Sequence, residues 1–479
     1  MHHYQLSSST YPMTLSPESF SSIPIPNSEV APKPKSGLQK LQRKEIGKAL
    51  RKQTPRSVHS QWLPGSDRHP LKLLEQSNQG RLTSLLPLRY ERMAKSPFAF
   101  LRGAALVMAH DLATTPTTGL WVQALGDCHL LNFGAFATPE RNLIFDVNDF
   151  DETLSAPWEW DVKRLAVSVL VAGQDIKLSD RESIAAVVAT VGSYRRHMAE
   201  LAEMTALNAW YSRLTVERIL ELSNSPNLNQ KQLFPTPKVS YHAASSILPE
   251  MTQLVNGQPR ILDKPPLVYH LDGDNALEEM QQALPQYRAS LREDVRVLFD
   301  RYELVDLAMK VVGVGSVGTR CAVALFMAGE KDALFLQIKE ARRSVLEPYT
   351  KPSMYDHQGQ RIITGQRITQ AASDIFLGWM QGNAGHDFYV RQLRDMKSSV
   401  DIDKLTGASF LEYGEFCGWA LARAHARSGD ASQIAGYLGE RDIFDRAIAE
   451  FATVYALQNQ QDHQALVAAL ENPSLYGLS

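Results

Sequence analysis

Residues 125–152, LGDCHLLNFGAFATPERNLIFDVNDFDE, combine closely spaced polar side chains with short apolar segments. An aspartate follows a glycine near the start of this stretch, and a histidine and an asparagine come soon after it: Asp127, His129 and Asn132. After a turn-like TPERN, the apolar LIFDV predicts a strand. A cluster of acids begins within this strand and continues beyond it: Asp146, Asp149, Asp151 and Glu152.

Metal-assisted phosphoryl transfer needs a pattern of this kind. One carboxylate orients the attacking hydroxyl, while a carboxamide oxygen and a second carboxylate hold Mg²⁺ against the phosphates. The same residues also allow a structural interpretation, because DFDE precedes a predicted helix that Asp151 or Glu152 can cap. A single histidine with no partner at fixed spacing, such as His129, is more often structural than a metal ligand.

Composition disfavours several classes of protein. The net charge of −2 gives no general attraction to nucleic acid or to a membrane surface. The three cysteines lie far apart, so that neither a zinc site nor a disulfide framework is indicated. There is no apolar run of membrane-spanning length and no secretory signal pattern, and we therefore expect a cytoplasmic protein without a membrane partner.

The chain of 479 residues divides into five segments by composition. Residues 1–40 are rich in Ser and Pro and are predicted to be a disordered tail, because such a segment buries too little apolar surface. Residues 41–225 are predicted to be a helical region that contains the catalytic loop, and residues 226–300 an insertion with connecting helices. Residues 301–400 are predicted to be a β region with a glycine loop, and residues 401–479 to be C-terminal helices that pack on the catalytic region.

The β region, AMKVVGVGSVGTRCAVALFMAGEKDALFLQIKEA, predicts three strands: residues 308–314, 319–327 and Ala333–Glu340. Its GVGSVG fits GxGxxG, which alone is a weak signal. In a dinucleotide-binding unit these glycines open a helix, whereas here an apolar, β-branched segment and another strand follow. The order favours a glycine-rich lid over ATP phosphates, as in protein kinases.

A lysine on the third strand is then expected to reach the phosphates. The predicted nucleotide-binding residues are Gly313, Gly315, Ser316, Gly318 and Lys339. The structural alternative is a glycine-rich β-turn with Lys339 solvated at a strand end. Arg102, within the predicted apolar helix FAFLRGAALVMAHDLA, is expected to form an ion pair, with a phosphate contact as the alternative.

Seven segments between about residue 45 and the end closely resemble the bacterial family catalogued as domain of unknown function 2252. They are SPFAFLRGAA, GDCHLLNFG, NDFDET, PWEWDVKRLA, KVVGVGSVGTRC, DFYVRQLRDMK and LARAHARSGD. This resemblance implies no established activity.

A partial resemblance is more informative. GDCHLLN, DFDE and WEWDVKRLA look like the catalytic region of the aminoglycoside-phosphotransferase and protein-kinase-like superfamily, although Leu125 replaces the usual histidine before GD. The resemblance implies that Asp127 is catalytic and that Asn132 is a metal ligand. It also implies that Asp149, with Asp146 as its rival, is the principal metal aspartate. It makes Asp161 the aspartate that supports the catalytic loop.

The order of these parts differs from that in kinases, because the glycine loop and Lys339 follow the catalytic loop. We therefore expect an α+β, kinase-like two-lobed fold in circularly permuted order, with a mostly helical lobe and a small antiparallel-sheet lobe. In such a fold FYVRQLRDM is a strand near the hinge, and Glu347 is a candidate partner of Lys339.

Three functional hypotheses follow. The first is an ATP- and Mg²⁺-dependent phosphotransferase acting on a small molecule or a protein. The second is a nucleotide-binding pseudokinase or regulatory module without transfer activity. The third is a metal-dependent hydrolase that uses Asp127, His129 and Asp146 or Asp149, and it predicts that the glycine loop lies far from the acids.

Overall fold

The structure, a computed structural model, describes residues 38–66, 68–223, 248–270, 275–393 and 400–471. Nearly all of the predicted disordered tail lies outside these residues, as does the first part of the predicted insertion. Within them the chain is a mixture of helices and small antiparallel sheets. No helix in these ranges is long and apolar enough to cross a membrane.

Fifteen α-helices have both of their ends within the described residues. In order they are α1 Lys40–Ala49, α2 Pro70–Asn78, α3 Leu86–Ala94, α4 Pro97–Gly103, α5 Ala105–Leu112, α6 Trp158–Asp175, α7 Asp180–Glu203, α8 Ala206–Tyr211, α9 Val216–Leu222, α10 Ala276–Ser290, α11 Glu293–Phe299, α12 Gln358–Thr369, α13 Gly407–Ala426, α14 Ala431–Leu438 and α15 Ile443–Glu471.

The strands form one larger sheet and three small ones. They are β1 Trp121–Ala124, β2 Phe133–Ala137, β3 Leu143–Val147, β4 Leu154–Pro157, β5 Leu214–Thr215, β6 Thr252–Val255, β7 Gln258–Ile261, β8 Val268–Tyr269, β9 Glu303–Lys310, β10 Cys321–Met327, β11 Ala333–Glu340, β12 Gly378–Gln381 and β13 Asp387–Gln392. The small sheets pair β1 with β4, β6 with β7, and β2, β3 and β5 in that order.

Helix α6 is the centre of the helical part of the molecule. Every residue from Trp158 to Gly173 is buried, because α7, α13 and α15 surround the helix. A helix that is covered on all sides normally has no charged residues, yet α6 contains buried Asp161 and Arg164. Both side chains form ion pairs or hydrogen bonds with residues 125–152, here called the acid-rich stretch, so the helix positions the candidate site.

The larger sheet is antiparallel, with strand order β12-β13-β11-β10-β9-β8. β11 lies inside this sheet and is buried along its whole length. Side chains alternate between the two faces of a strand. Leu336 and Ile338 therefore pack with the hydrophobic residues of α10 and α11, while Lys339 lies on the opposite face. The predicted strand over FYVRQLRDM corresponds to β13, which pairs with β11.

Several element boundaries differ from the sequence predictions. The first strand of the hairpin covers Glu303–Lys310 instead of residues 308–314, because YELVDLAMK continues the strand pattern upstream and a positive φ at Gly313 belongs to the turn. The apolar helix around Arg102 is broken at Ala104, which has a non-helical φ/ψ of −107°/37°. The sequence GQRITQAASDIFLGWM, residues 365–380, predicts a helix; the helix Gln358–Thr369 ends within this stretch, and the last three residues of the stretch, GWM, lie in β12.

Candidate functional site

A cavity of about 560 Å³ separates the acid-rich stretch from the larger sheet. From the acid-rich stretch and its surroundings it is lined by Arg102, Asp127, His129, Asn132, Asp149, Asp151 and Glu152. From the sheet it is lined by Gly313, Gly315, Ser316, Thr319, Glu340, Arg342 and Arg343. Ser316 Oγ lies 3.5 Å from Asp151 Oδ2, although 165 residues separate the two in the chain. The glycine loop and the acids therefore face one space.

Asp127 is held in place by a buried arginine of α6. Arg164 Nε donates to Asp127 Oδ1 at 2.7 Å, and Arg164 Nη2 donates to the same oxygen. Within the described part of the chain Oδ2 has no such partner. The Asp127 side chain is 22% exposed, whereas that of Arg164 is 1% exposed. Arg164 thus fixes the carboxylate while one oxygen stays available to a ligand in the cavity.

The backbone around Asp127 is supported by Asp161. The amides of Leu125 and Gly126 donate to the two carboxylate oxygens of Asp161 at 2.6 and 3.0 Å. His425 Nε2 lies 3.1 Å from Asp161 Oδ2. Gly126 has φ +77°, and a Cβ there would lie 2.5 Å from the carbonyl oxygen of Glu152. Only glycine therefore fits this turn without rearrangement.

Asn132 is oriented by the same loop. It ends the short 3₁₀ turn Leu130–Asn132, and its Nδ2 donates to the carbonyl oxygen of Asp127 at 2.6 Å. An amide side chain offers nitrogen donors and one oxygen acceptor. Because the nitrogen is used within the loop, Oδ1 is the atom that can bind a cation.

Asp149 and Asp151 have different surroundings. Asp151 Oδ2 accepts from Lys339 Nζ at 2.7 Å, and Asp151 Oδ1 accepts from the hydroxyl of Tyr389. Asp149 Oδ1 lies 3.8 Å from Lys339 Nζ and is a buried atom with no hydrogen-bond partner among the described residues. A buried carboxylate oxygen without a partner is costly. Asp149 is therefore the acid whose geometry fits a bound cation.

Asp146, the rival candidate for a metal ligand, does not line this cavity. Its side chain is fully buried and is paired with Arg423, whose Nη2 lies 2.6 Å from Oδ1. The amides of Val147 and Ala371 also donate to its two oxygens, each at 2.8 Å. These contacts saturate the carboxylate, and Asp146 joins β3 to the segment after α12.

Lys339 is paired with aspartates instead of the glutamate that the sequence suggested. Burial alone would lower the pKa of Lys339, but the charges of Asp149 and Asp151 outweigh that effect and hold the pKa well above its usual range. Glu347 lies in the 3₁₀ turn Glu347–Tyr349 and is not among the ion-pair partners of Lys339 in the described chain. The lysine is charged and buried, and it does not itself line the cavity; its ion pairs with Asp149 and Asp151, which do, connect it to that space.

The glycine loop between β9 and β10 is held from outside by residues near the N-terminus. Arg92 Nη1 donates to the carbonyl oxygen of Gly313 at 2.5 Å, and Arg81 Nη1 donates to that of Val317 at 2.6 Å. Gly313 and Gly318 have φ of +66° and +87°, which favour glycine. The loop is therefore a fixed wall of the cavity.

His129 and Glu152 are titratable groups beside the candidate ligands. Burial lowers the pKa of His129 to about 3, so that the ring is neutral near pH 7, and its Nδ1 has no partner in the described structure. Burial raises the pKa of Glu152 to about 7, although a hydrogen bond from the Val345 amide opposes that rise.

No group of three or more His, Cys, Asp or Glu side chains in the described ranges is arranged to hold a metal ion.

The family model described as "uncharacterized protein conserved in bacteria", domain of unknown function 2252, matches residues 81–469. The chain belongs to this family. No curated protein and no solved structure gives a significant match. In this member of the family of unknown function 2252, the matched span includes both the acid-rich stretch and the glycine loop.

Sequence reasoning missed several residues of this family member's site. Arg164 and Tyr389, which bind Asp127 and Asp151, lie in WEWDVKRLA and DFYVRQLRDMK, where nothing in the local sequence marks them as site residues. Arg102 was expected to form an ion pair, yet within the described ranges it forms none and lines the cavity instead. The occurrence of a cation within an apolar helix was the sequence signal that could have indicated a site residue at Arg102.

Proposed function

We propose that the protein is an ATP- and Mg²⁺-dependent phosphotransferase acting on a small-molecule or protein hydroxyl. The observation that carries this proposal is the shared cavity, which brings the glycine loop and the carboxylates to within contact of one another at Ser316 and Asp151. Glycine loop, lysine, asparagine and two aspartates are the parts that kinase-type transfer uses.

The arrangement of the larger sheet supports the nucleotide part of the proposal. A glycine-rich turn joins β9 to β10, Lys339 lies on β11, and a helix and two more strands, α12, β12 and β13, complete the unit. Protein kinases place a glycine-rich loop and a lysine strand in this way. In this proposal the unit is the small lobe of a permuted kinase-like fold.

One departure concerns the lysine partner. In kinases a glutamate of the helix after the lysine strand pairs with the lysine. Helix α12, QGQRIITGQRIT, contains no acid. Asp151 takes that role here, and Tyr389 and Arg361 fix its position, since Arg361 Nη2 donates to the Asp151 carbonyl oxygen at 2.9 Å.

The residues present fit a magnesium ion. Mg²⁺ uses oxygen ligands and takes most of them from water and the phosphates of the nucleotide. Asn132 Oδ1 and Asp149 Oδ1, which accepts no hydrogen bond from the described residues, are the protein atoms that would hold it. When bound, the ion neutralises charge that develops on the phosphates.

Asp127 performs the acceptor step in this proposal. Its Oδ2 accepts a hydrogen bond from the attacking hydroxyl, while Arg164 keeps the carboxylate in one orientation. Asp161 keeps the preceding backbone rigid through its bonds to Leu125 and Gly126. The three residues therefore position one oxygen against the acceptor.

The second candidate is a nucleotide-binding pseudokinase. The observation that favours it is the bond of Lys339 to Asp151, which leaves less of the lysine charge for phosphates. The hydrolase hypothesis expected a glycine loop far from the acids, and the shared cavity weighs against it. Transfer of label from γ-³²P-ATP to the protein or to a library of hydroxyl compounds distinguishes the phosphotransferase from the pseudokinase.

Thermal unfolding with and without Mg²⁺-ATP tests nucleotide binding. A ligand bound only by the folded state raises the free energy of unfolding by about 2.7 kcal/mol at roughly 100 times its Kd. We expect this gain in the wild type and its loss in Lys339→Ala and Asp149→Ala. Lys331→Ala, an exposed lysine on the β10–β11 turn, is the control that should keep it. No gain in the wild type would contradict the proposal.

A further inference from the structure

The cations around the cavity are nearly all engaged by other groups. Lys339 is paired with Asp151, and Arg164 is paired with Asp127. Arg81 donates to the carbonyl oxygens of Ser77 and Val317. Arg342 likewise donates to the carbonyl oxygens of Ser77 and Gln79. These arginines hold the protein together, so they are poor candidates for binding a ligand anion.

Arg102 is different. Its guanidinium makes no hydrogen bond and no ion pair with any residue in the described part of the chain, and its Nε is a buried atom without a partner. The guanidinium lies 5.9 Å from the centre of the Phe98 ring. Burial lowers its pKa, while the charge of Asp127 opposes that effect. A partly buried guanidinium whose enclosed Nε has no acceptor is costly, and an anion in the cavity would lower that cost.

Arg102 lies between the glycine loop and the loop that contains Asp127. Arg164 Nη2, which binds Asp127, also donates to the carbonyl oxygen of Leu101 at 3.0 Å, so the end of α4 is tied to the catalytic aspartate. On the other side, a Cβ on Gly315 would lie 3.0 Å from the Arg102 carbonyl oxygen. Arg102 thus lies where the tip of the glycine loop approaches the catalytic loop.

The catalytic loop itself provides no lysine or arginine, because residues 125–132 read LGDCHLLN. Phosphoryl transfer places negative charge on the equatorial oxygens of the transferred group, and a fixed cation there is a strong source of catalysis. Arg102 and Arg343 are the cavity-lining arginines without a hydrogen-bond or ion-pair partner in the described chain; Arg343 is exposed to solvent, so Arg102 is the partly enclosed one.

We propose that Arg102 binds the terminal phosphoryl group of the bound nucleoside triphosphate and stabilises it during transfer. This inference rests on the proposed function. In the transfer step the acceptor oxygen forms a bond to the γ-phosphorus, and the bond from that phosphorus to the β–γ bridging oxygen breaks. The hydroxyl proton passes to Asp127, and a nucleoside diphosphate leaves. Throughout, Arg102 donates to the oxygens of the transferred group.

The test compares two nucleotides that differ by that one group. Titration calorimetry with Mg²⁺ measures the Kd of ADP and of the non-transferable β,γ-imido analogue of ATP. A hydrogen bond to a charged group contributes about tenfold or more in affinity. Arg102→Ala should therefore raise the Kd of the analogue by at least that factor and the Kd of ADP by less than twofold. Arg102→Lys should recover part of the loss, and Arg301→Ala, on an exposed turn, should change neither.

The outcomes separate the two proposals. If the wild type binds neither nucleotide, the proposed function fails and the role of Arg102 fails with it. If the wild type binds both and Arg102→Ala weakens both equally, or neither, the role of Arg102 is overturned while nucleotide binding stands. Circular dichroism checks that each variant is folded. If Arg102→Ala is unfolded, Arg102→Gln replaces it, because glutamine keeps much of the aliphatic part of the side chain. The ratio of the Kd values for the analogue and for ADP in that variant then tests the role of Arg102.

Discussion

Lys339 Nζ lies 2.7 Å from Asp151 Oδ2, although the two residues are 188 positions apart in the chain. This ion pair joins β11 of the larger sheet to the loop after β3. Both side chains are largely shielded from solvent, with exposed fractions of 3% and 25%. The bond thus helps to set the spacing between the larger sheet and the carboxylates, and under the proposed function this spacing would have to accommodate a triphosphate.

Replacement of Asp127 by Asn is expected to reduce phosphoryl transfer by about 100-fold or more, because the group that accepts the proton is lost. Nucleotide affinity should stay within about twofold, since Asn keeps an oxygen for Arg164. Steady-state transfer of ³²P and calorimetry with Mg²⁺-ADP measure the two quantities. Undiminished transfer in this variant, with folding intact, would remove Asp127 from the catalytic role.

Asp127→Ala is a poorer variant for that purpose. It would leave Arg164 buried with no charged partner, a change that costs about 3–5 kcal/mol of stability in comparable buried pairs. Loss of activity in the Ala variant would therefore combine a missing base with a disturbed loop. The Asn variant separates these effects.

Replacement by Asn is expected to affect mainly the stability of the protein at Asp146 and mainly Mg²⁺-dependent nucleotide binding at Asp149. Asp146→Asn breaks the buried pair with Arg423 and is expected to lower the free energy of unfolding by about 3–5 kcal/mol. Asp149→Asn removes one of the two charges beside Lys339, but Asp151 keeps the closer ion pair, so the loss of stability should be smaller than for Asp146→Asn, whereas the dependence of nucleotide binding on Mg²⁺ should be abolished. Urea unfolding and calorimetry with and without EDTA make the comparison, and the reverse pattern would exchange the two roles.

Asp161 is expected to control the rigidity of the catalytic loop. Asp161→Ala removes the acceptors of the Leu125 and Gly126 amides, so hydrogen exchange at those amides should become faster and transfer should fall. Ser168→Ala is a matched control, because Ser168 Oγ accepts from the Leu130 amide of the same loop at 2.9 Å. Unchanged exchange at residues 125 and 126 in the Asp161 variant would show that the loop does not depend on it.

His59 gives a prediction about acid stability. Burial lowers its pKa to about 3, whereas an unfolded histidine titrates near 6.5. Between those values the unfolded chain binds a proton that the folded chain does not, so the free energy of unfolding falls as the pH falls. This residue contributes a slope that approaches about 1.4 kcal/mol per pH unit. His59→Gln should flatten the wild-type curve between pH 6 and pH 4, and an unchanged slope would contradict the assignment.

Local sequence patterns predicted the identity of most elements near the site. The strand Ala333–Glu340 has the predicted bounds, and Lys339 lies on it, because an apolar, β-branched run between turns is a local signal. The partner of Lys339 was not predictable in this way, since Asp151 reaches it only through the tertiary fold. Arg102 shows the same limit: its helix was foreseen, but its lack of a partner depends on every element around it.

The two halves of the cavity are made at different times during synthesis. Translation adds about 5–20 residues per second, so the 188 residues between Asp151 and Lys339 take about 10–40 s to emerge. For that interval the nascent chain has its carboxylate cluster without the ammonium group that neutralises it. Release of the chain before β9 would therefore yield a product with uncompensated negative charge, without the glycine loop and without helices α12–α15. Truncated forms ending near residue 300 are accordingly expected to lose the site as a whole.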